Sequence, residues 1–223
     1  MGAVIGDLLP LALGIAISPI PIIATILMLL APRAGGASAG FLLGWVGGIV
    51  IATTLFIVLA GGADLGGDDG PSVAASWIKI GLGVLLLLLA ARQWRARPAS
   101  GEVAELPGWM SAIDSFTVVK GLGLGFVLSA VNPKNLLMAV AAGATIGSGD
   151  ISVGEEAVAV AVFTVIAAST VATPVLAYLV ARDRMRHPLD LLKGWLQVNN
   201  GTVMGVLLVV IGFVLIGKGV GGL

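Results

Sequence analysis

The chain alternates between long apolar runs and short polar connections. Six runs stand out, near Leu8–Ala31, Ala37–Ala60, Ser72–Ala91, Lys120–Ile146, Glu155–Val180 and Asn199–Gly217. About 20 residues at ~1.5 Å rise cross the hydrocarbon core of a bilayer, so each run predicts one transmembrane helix. The expected fold class is an all-α integral membrane protein, a single membrane domain over residues 1–223. The first run has no basic leader and is too long for a signal peptide, so it reads as a retained helix. The longest connection, from Arg92 to Val119, is too short for a soluble domain.

Two runs are interrupted halfway along. The first contains Ser18-Pro19-Ile20-Pro21 and the fourth Asn132-Pro133-Lys134-Asn135. The stretches after the breaks align, Ile26-Leu27-Met28 against Leu136-Leu137-Met138. A second echo pairs the third run with the sixth. Trp77-Ile78-Lys79-Ile80-Gly81 precedes a leucine run, and Trp195-Leu196-Gln197-Val198-Asn199 precedes Val206-Leu207-Leu208-Val209-Val210. The echoes join the first and third spans of each half, so the repeat unit is three helices, about 1–98 and about 107–223. Three is odd, so the second copy is upside down. The expectation is two inverted three-helix repeats, with helices 1 and 4 broken by proline.

The connections separate by charge. One set carries Arg33, then Arg92, Arg95, Arg97 and Lys120, then Arg182, Arg184, Arg186 and Lys193; the other carries Asp64, Asp68 and Asp69, then Asp150, Glu155 and Glu156. The sets alternate as six spans require, and the positive-inside rule places both termini outside the cytoplasm of a multi-pass plasma-membrane protein. Lys79 and Lys218 fall on the outer side as exceptions.

Composition narrows the chemistry. Apolar residues make up 58% of the chain and charged residues 11%, where a soluble domain carries about 25% charged. The formal net charge is zero, so no basic field points to nucleic acid. There is no cysteine, which removes disulfides, thiolate metal sites and thiol redox relays, and the one histidine, His187, lies in a charged connection. No metal or cofactor is expected. The 33 glycines lie largely within apolar runs. Gly40–Gly44–Gly48, Gly121–Gly125 and Gly201–Gly205 read as small-residue seams for packing within the bundle.

Proline has no N–H and clashes with the carbonyl four residues back. Pro19 and Pro21 are therefore expected to free the carbonyls of Ile15 and Ile17, and Pro133 that of Ser129. Each break also starts a half-helix whose N-terminal amides favour anions, with Ser18 and Asn132 as suitable caps. Lys134 is the sharpest residue. It lies about 13 residues, ~20 Å of helix, from either end of its span, beyond the reach of snorkelling. Every acidic residue lies in a connection or near a span end. Lys134 is thus expected to meet an anionic ligand, to sit in a hydrated cavity, or to be deprotonated by desolvation. The candidate binding residues are Ser18, Pro19, Pro21, Thr25, Asn132, Pro133, Lys134 and Asn135. Thr53, Thr54, Thr164, Ser169, Thr170 and Thr173 are candidates to line a path, or to bond back to their own helices. Pro174 is a candidate hinge, and Asn199 and Asn200 candidate caps of the sixth span. The phosphate-loop-like Gly212-x4-Gly217-Lys218 lacks the following Ser or Thr and a preceding strand.

At these residues the chain resembles the GAP family, sulfolipid- and glycopeptidolipid-addressing proteins of the lysine-exporter (LysE) superfamily. The likeness rests on Ser18-Pro19 and on Pro107-x-Trp109-Met110-x3-Asp114-x-Phe116-Thr117 leading to Asn132-Pro133-Lys134-Asn135-Leu136. It extends through Gly194-Trp195-x3-Asn199 and Val206-Leu207-Leu208-Val209-Val210-Ile211-Gly212. The resemblance implies six helices and a role in moving lipids or glycolipids across the plasma membrane.

The leading expectation is therefore a transporter that exports a lipid or glycolipid with an anionic headgroup by alternating access. The alternatives are a LysE-type exporter of amino acids or cations, and a non-transporting accessory of a lipid-synthesis or export complex. Membrane lipids or a glycolipid substrate are the expected partners; lipid-synthesis or export proteins and self-association stay open. No span carries a nucleophile–base pair, which argues against an enzyme.

Overall fold

A computed structural model describes residues 1–31, 34–62, 66–67, 70–71, 73–95 and 108–223. The loop charges Arg33, Asp64, Asp68, Asp69 and Arg97, with Ser72, Glu102, Glu105 and Pro107, lie outside the described residues, as do the side chains of Asp114 and Asp183.

The chain forms helices α1 (Gly2–Ala16), α2 (Pro19–Leu30), α3 (Ala34–Gly62), α4 (Val73–Arg95), α5 (Val118–Phe126), α6 (Pro133–Gly147) and α7 (Val153–Val220). A two-residue antiparallel pairing, Gly66–Gly67 with Gly70–Pro71, lies between α3 and α4. A 3-10 turn, Gly108–Ser115, precedes α5 and packs against α2 through the 3-10 segment that includes buried Met110 and Ile113. Four helical segments are long and apolar enough to cross a membrane: Gly35–Gly61, Val73–Arg95, Val153–Arg182 and Arg184–Val220. Two bent pairs add to them. α1 and α2 meet at 52°, and the α5 segment meets α6 at 62°. Counting each bent pair as one span raises four spans to six. Leu43, Val58, Leu88, Val165, Val180 and Phe213 are exposed on the outside of the bundle, as suits helices whose solvent is lipid.

The expected connection between the fifth and sixth spans is helical instead. α7 runs through it, broken only at Ala181 (φ −139, ψ 48). Arg, Met, Leu, Lys and Gln dominate that stretch and are good helix formers. Pro188 is tolerated there, because the bond it removes falls on Arg184, which is exposed. The kink lies at Ala181, between the fifth and sixth spans, while Pro174 lies inside the helical run of the fifth. α7 starts sharply because Ser152 and Glu155 form a reciprocal capping box.

Glycine decides how the helices meet. Gly40 and Gly44 of α3 lie against the carbonyls of Val118 and Leu122, and Gly121 and Gly125 of α5 against those of Ala37 and Phe41. A Cβ at any of the four would overlap a carbonyl oxygen. Partner numbers rise together, so α3 and α5 run parallel. α6 continues along the same helix, with Gly143 beside Thr53 and Phe56 and Gly147 beside Ile57. α4 and the second arm of α7 are antiparallel: Gly219 meets Ser76 and Ile80, Gly212 meets Gly83, and Gly205 meets Trp94. The Gly83–Gly212 contact is reciprocal. A Cβ on Gly83 would come 2.7 Å from the Gly212 carbonyl oxygen, and one on Gly212 3.0 Å from that of Gly83. α1 and α2 pack mainly on α7, and α5 and α6 mainly on α3.

Candidate functional site at the two helix breaks

The last helical bond of α1 runs from the Ile17 N–H to the Leu13 carbonyl, 2.9 Å. α2 restarts at Pro19, and the Ile22 N–H returns to the Ser18 carbonyl at 3.4 Å. Ser18 is buried but its side chain makes no capping bond. Its expected role as a cap is not realised. A cap oxygen accepts from the second or third helical amide; Pro21 has none, and the remaining one, of Ile20, is not taken up by Ser18.

The second break is built differently. Residues Val127–Val131 form a π-turn, in which the Asn132 N–H reaches back five residues to the Val127 carbonyl, 3.1 Å. That register leaves the Leu128 carbonyl free, and the Asn135 side-chain amide donates to it at 2.8 Å. The carbonyl met by a side chain is thus that of Leu128, one residue before the Ser129 carbonyl that Pro133 is expected to free. Asn132 does cap α6, accepting the Lys134 N–H at 3.1 Å. Asn135 is fully buried, and its Oδ1 has no partner.

Lys134 joins the two breaks. Its side chain leaves the first turn of α6 and its Nζ donates to the Gly14 carbonyl oxygen in α1, 2.6 Å away. The residue is 4% exposed. No carboxylate pairs with it among the described residues. The amine thus finds a partner of a kind not expected, a backbone carbonyl released by the other break. Thr170 of α7 donates its hydroxyl to a second such carbonyl, that of Ala16. The carbonyls met by side chains are therefore those of Gly14 and Ala16, rather than of Ile15 and Ile17.

Of the other candidates, Pro19 and Pro21 are buried at the bend, and Pro133 opens α6. Thr25 is fully buried, with its hydroxyl turned back on the Pro21 carbonyl, 2.8 Å. Ser169 likewise bonds to its own helix at Ile166. Thr54 and Thr173 are exposed on the outer surface. Thr53 and Thr164 have buried hydroxyls without partners. The Asn199 side chain donates to the Trp195 carbonyl inside the continuous helix and caps nothing.

Sequence reasoning missed Gly14 and Ala16, which contribute only backbone oxygen. One signal existed for Gly14, a small residue in an otherwise bulky apolar run. A Cβ there would overlap Ile211 and come 2.7 Å from Met138 Cε, the movable tips of side chains from α7 and α6 that meet α1 at this point. No group of three or more His, Asp or Glu placed to hold a metal occurs among the described residues.

No match was found among curated proteins or among solved structures. The family model described as Sap, sulfolipid-1-addressing protein, matches residues 8–221. That span takes in both breaks, most of α1 and the whole of α2 to α7, and the chain belongs to the Sap, sulfolipid-1-addressing protein family.

Proposed function

We propose that the protein translocates a lipid or glycolipid with an anionic headgroup across the plasma membrane by alternating access. Two inverted three-helix repeats rock about the broken helices, and both termini lie outside the cytoplasm. The observation that carries this reading is Lys134, an amine buried where the two breaks meet, whose partner among the described residues is a backbone carbonyl. An intramembrane cation without a carboxylate is poised for an anionic ligand, and a sulfolipid, the class in the family's description, carries such a headgroup.

The division of labour follows from the local geometry. Pro19 and Pro21 leave Ile20 with the only N–H among the first three residues of α2, and the Asn132 cap already holds that of Lys134. Backbone donors are scarce, so Lys134 supplies the charge. The free Oδ1 of Asn135 offers an acceptor to a sugar hydroxyl. Ser18, Pro19, Pro21, Thr25, Asn132 and Pro133 hold the two bends open. The inverted arrangement rests on the two bent pairs at Ser18-Pro19 and Asn132-Pro133, and the broken spans each pack on one long helix, α1 and α2 mainly on α7 and α5 and α6 mainly on α3. Membership of the LysE superfamily fits the same architecture.

The test is headgroup translocation in proteoliposomes carrying a fluorescent anionic glycolipid. Wild-type protein should move it, and Lys134→Met should lose that movement while keeping its fold. An unchanged rate in the variant would remove Lys134 from the mechanism. Saturable amino-acid or cation efflux would favour the small-solute reading. No flux, with tight co-purification of a lipid synthase, would favour the accessory reading.

A further inference from the structure

The broken end of α1 concentrates negative potential. Four successive carbonyls, Gly14 to Ile17, lie at the C-terminal end of a half-helix, which carries a partial negative charge. Pro19 and Pro21 have no N–H to offer Ile15 and Ile17, and the carbonyls of Gly14 and Ala16 are met by side chains from α6 and α7 rather than by amides. Elsewhere in transporters with interrupted helices, unwound carbonyls and half-helix C-termini of this kind hold Na⁺.

Here the position is filled from within. Lys134 Nζ lies 2.6 Å from Gly14 O, and the residue is almost wholly buried. An ammonium has three donors, and a cluster of adjacent carbonyls is a suitable acceptor for them. Two residues along, the Ala16 carbonyl takes the Thr170 hydroxyl, and backbone carbonyl oxygens are common ligands of small cations.

We propose that the broken end of α1 is a monovalent-cation site, and that the Lys134 ammonium occupies it as a tethered ion. The protein then holds its broken helix together with no bound Na⁺ or K⁺. This goes beyond the transport reading and does not depend on what is moved. Removing the amine while leaving space should uncover the site for a free cation.

The experiment is thermal unfolding of purified Lys134→Ala, with Lys134→Met and wild type alongside. Propylammonium replaces the atoms that the alanine substitution deletes. Propylammonium, and to a lesser degree Na⁺ or K⁺ replacing N-methylglucamine, should raise the Tm of Lys134→Ala saturably, by about 2–4 °C. Wild type and Lys134→Met, whose sites are filled, should not respond. No response of Lys134→Ala to any of these cations, or an equal response of Lys134→Met, would overturn the proposal. Should neither variant fold, amine labelling of the intact wild type decides: Lys134 should resist reductive methylation while exposed Lys120 reacts, and equal labelling of the two overturns it. Each readout is independent of flux, so its failure is distinct from failure of the transport reading.

Discussion

The ammonium of Lys218 lies 2.5 Å from the carboxylate of Asp7, so one ion pair ties the first helix to the last. Lys79 of α4, only 8% exposed, feels both charges. The two lysines expected as exceptions to the charge rule thus lie at one end of the bundle, Lys218 paired with Asp7 and Lys79 within electrostatic range of both.

Asp7 therefore matters more than Lys218. Replacing Asp7 with Asn leaves the Lys79 and Lys218 charges to repel without that acid, whereas Lys218→Met leaves Asp7 within electrostatic range of Lys79. Partly exposed pairs contribute about 0–1 kcal/mol. Asp7→Asn should lower the Tm more than Lys218→Met does, and adding Lys218→Met to Asp7→Asn should recover part of the loss. Thermal unfolding at low and high salt checks this, since screening should shrink both effects. Equal single-variant losses would contradict the three-residue arrangement.

Gly44 and Gly47 make a matched pair on α3. A Cβ on Gly44 would overlap the Leu122 carbonyl oxygen, while one on Gly47 meets nothing within 4 Å. Gly44→Ala should destabilise by about 1–3 kcal/mol through forced separation of α3 and α5. Gly47→Ala should be neutral or slightly stabilising, because alanine favours helix. Denaturation of the two variants in the same detergent measures the difference, and similar losses would mean that α3 and α5 are not in contact there.

Asn132 and Asn135 act on different ends of the second break. Asn132→Ala removes the cap on the Lys134 amide and should cost about 0.5–2 kcal/mol. Asn135→Leu leaves the Leu128 carbonyl without its donor in a buried site and should cost about 1–3 kcal/mol. The double variant should lose less than the sum of the two, since both support the same bend. Strict additivity in unfolding measurements would show that they work independently.

Much of the architecture was legible beforehand. Hydrophobicity adds residue by residue, so run length alone marked out the four spanning segments and the two bent ones. Proline acts on its own backbone, so both bends fall where Pro19 and Pro133 stand. The motif around Asn132-Pro133-Lys134-Asn135 also pointed to the family that the chain belongs to. The small-residue seams at Gly40–Gly44 and Gly121–Gly125 were read correctly as packing within the bundle.

What stayed hidden depends on how the helices are rotated and how closely they approach. Proline chemistry names the carbonyls that lose an amide, Ile15 and Ile17, but the side chains that arrive in space come to Gly14 and Ala16. Ser18 makes no capping bond although Ile20 still has an amide to offer, and a π-turn frees the Leu128 carbonyl, which Asn135 meets, next to the Ser129 carbonyl that proline chemistry names. The sequence by itself determined that an amine lies deep in a broken apolar helix, because burial and breakage are local properties. Only the tertiary structure decided that this amine meets a carbonyl 120 residues away, because that contact depends on how α1 and α6 are placed and rotated against each other.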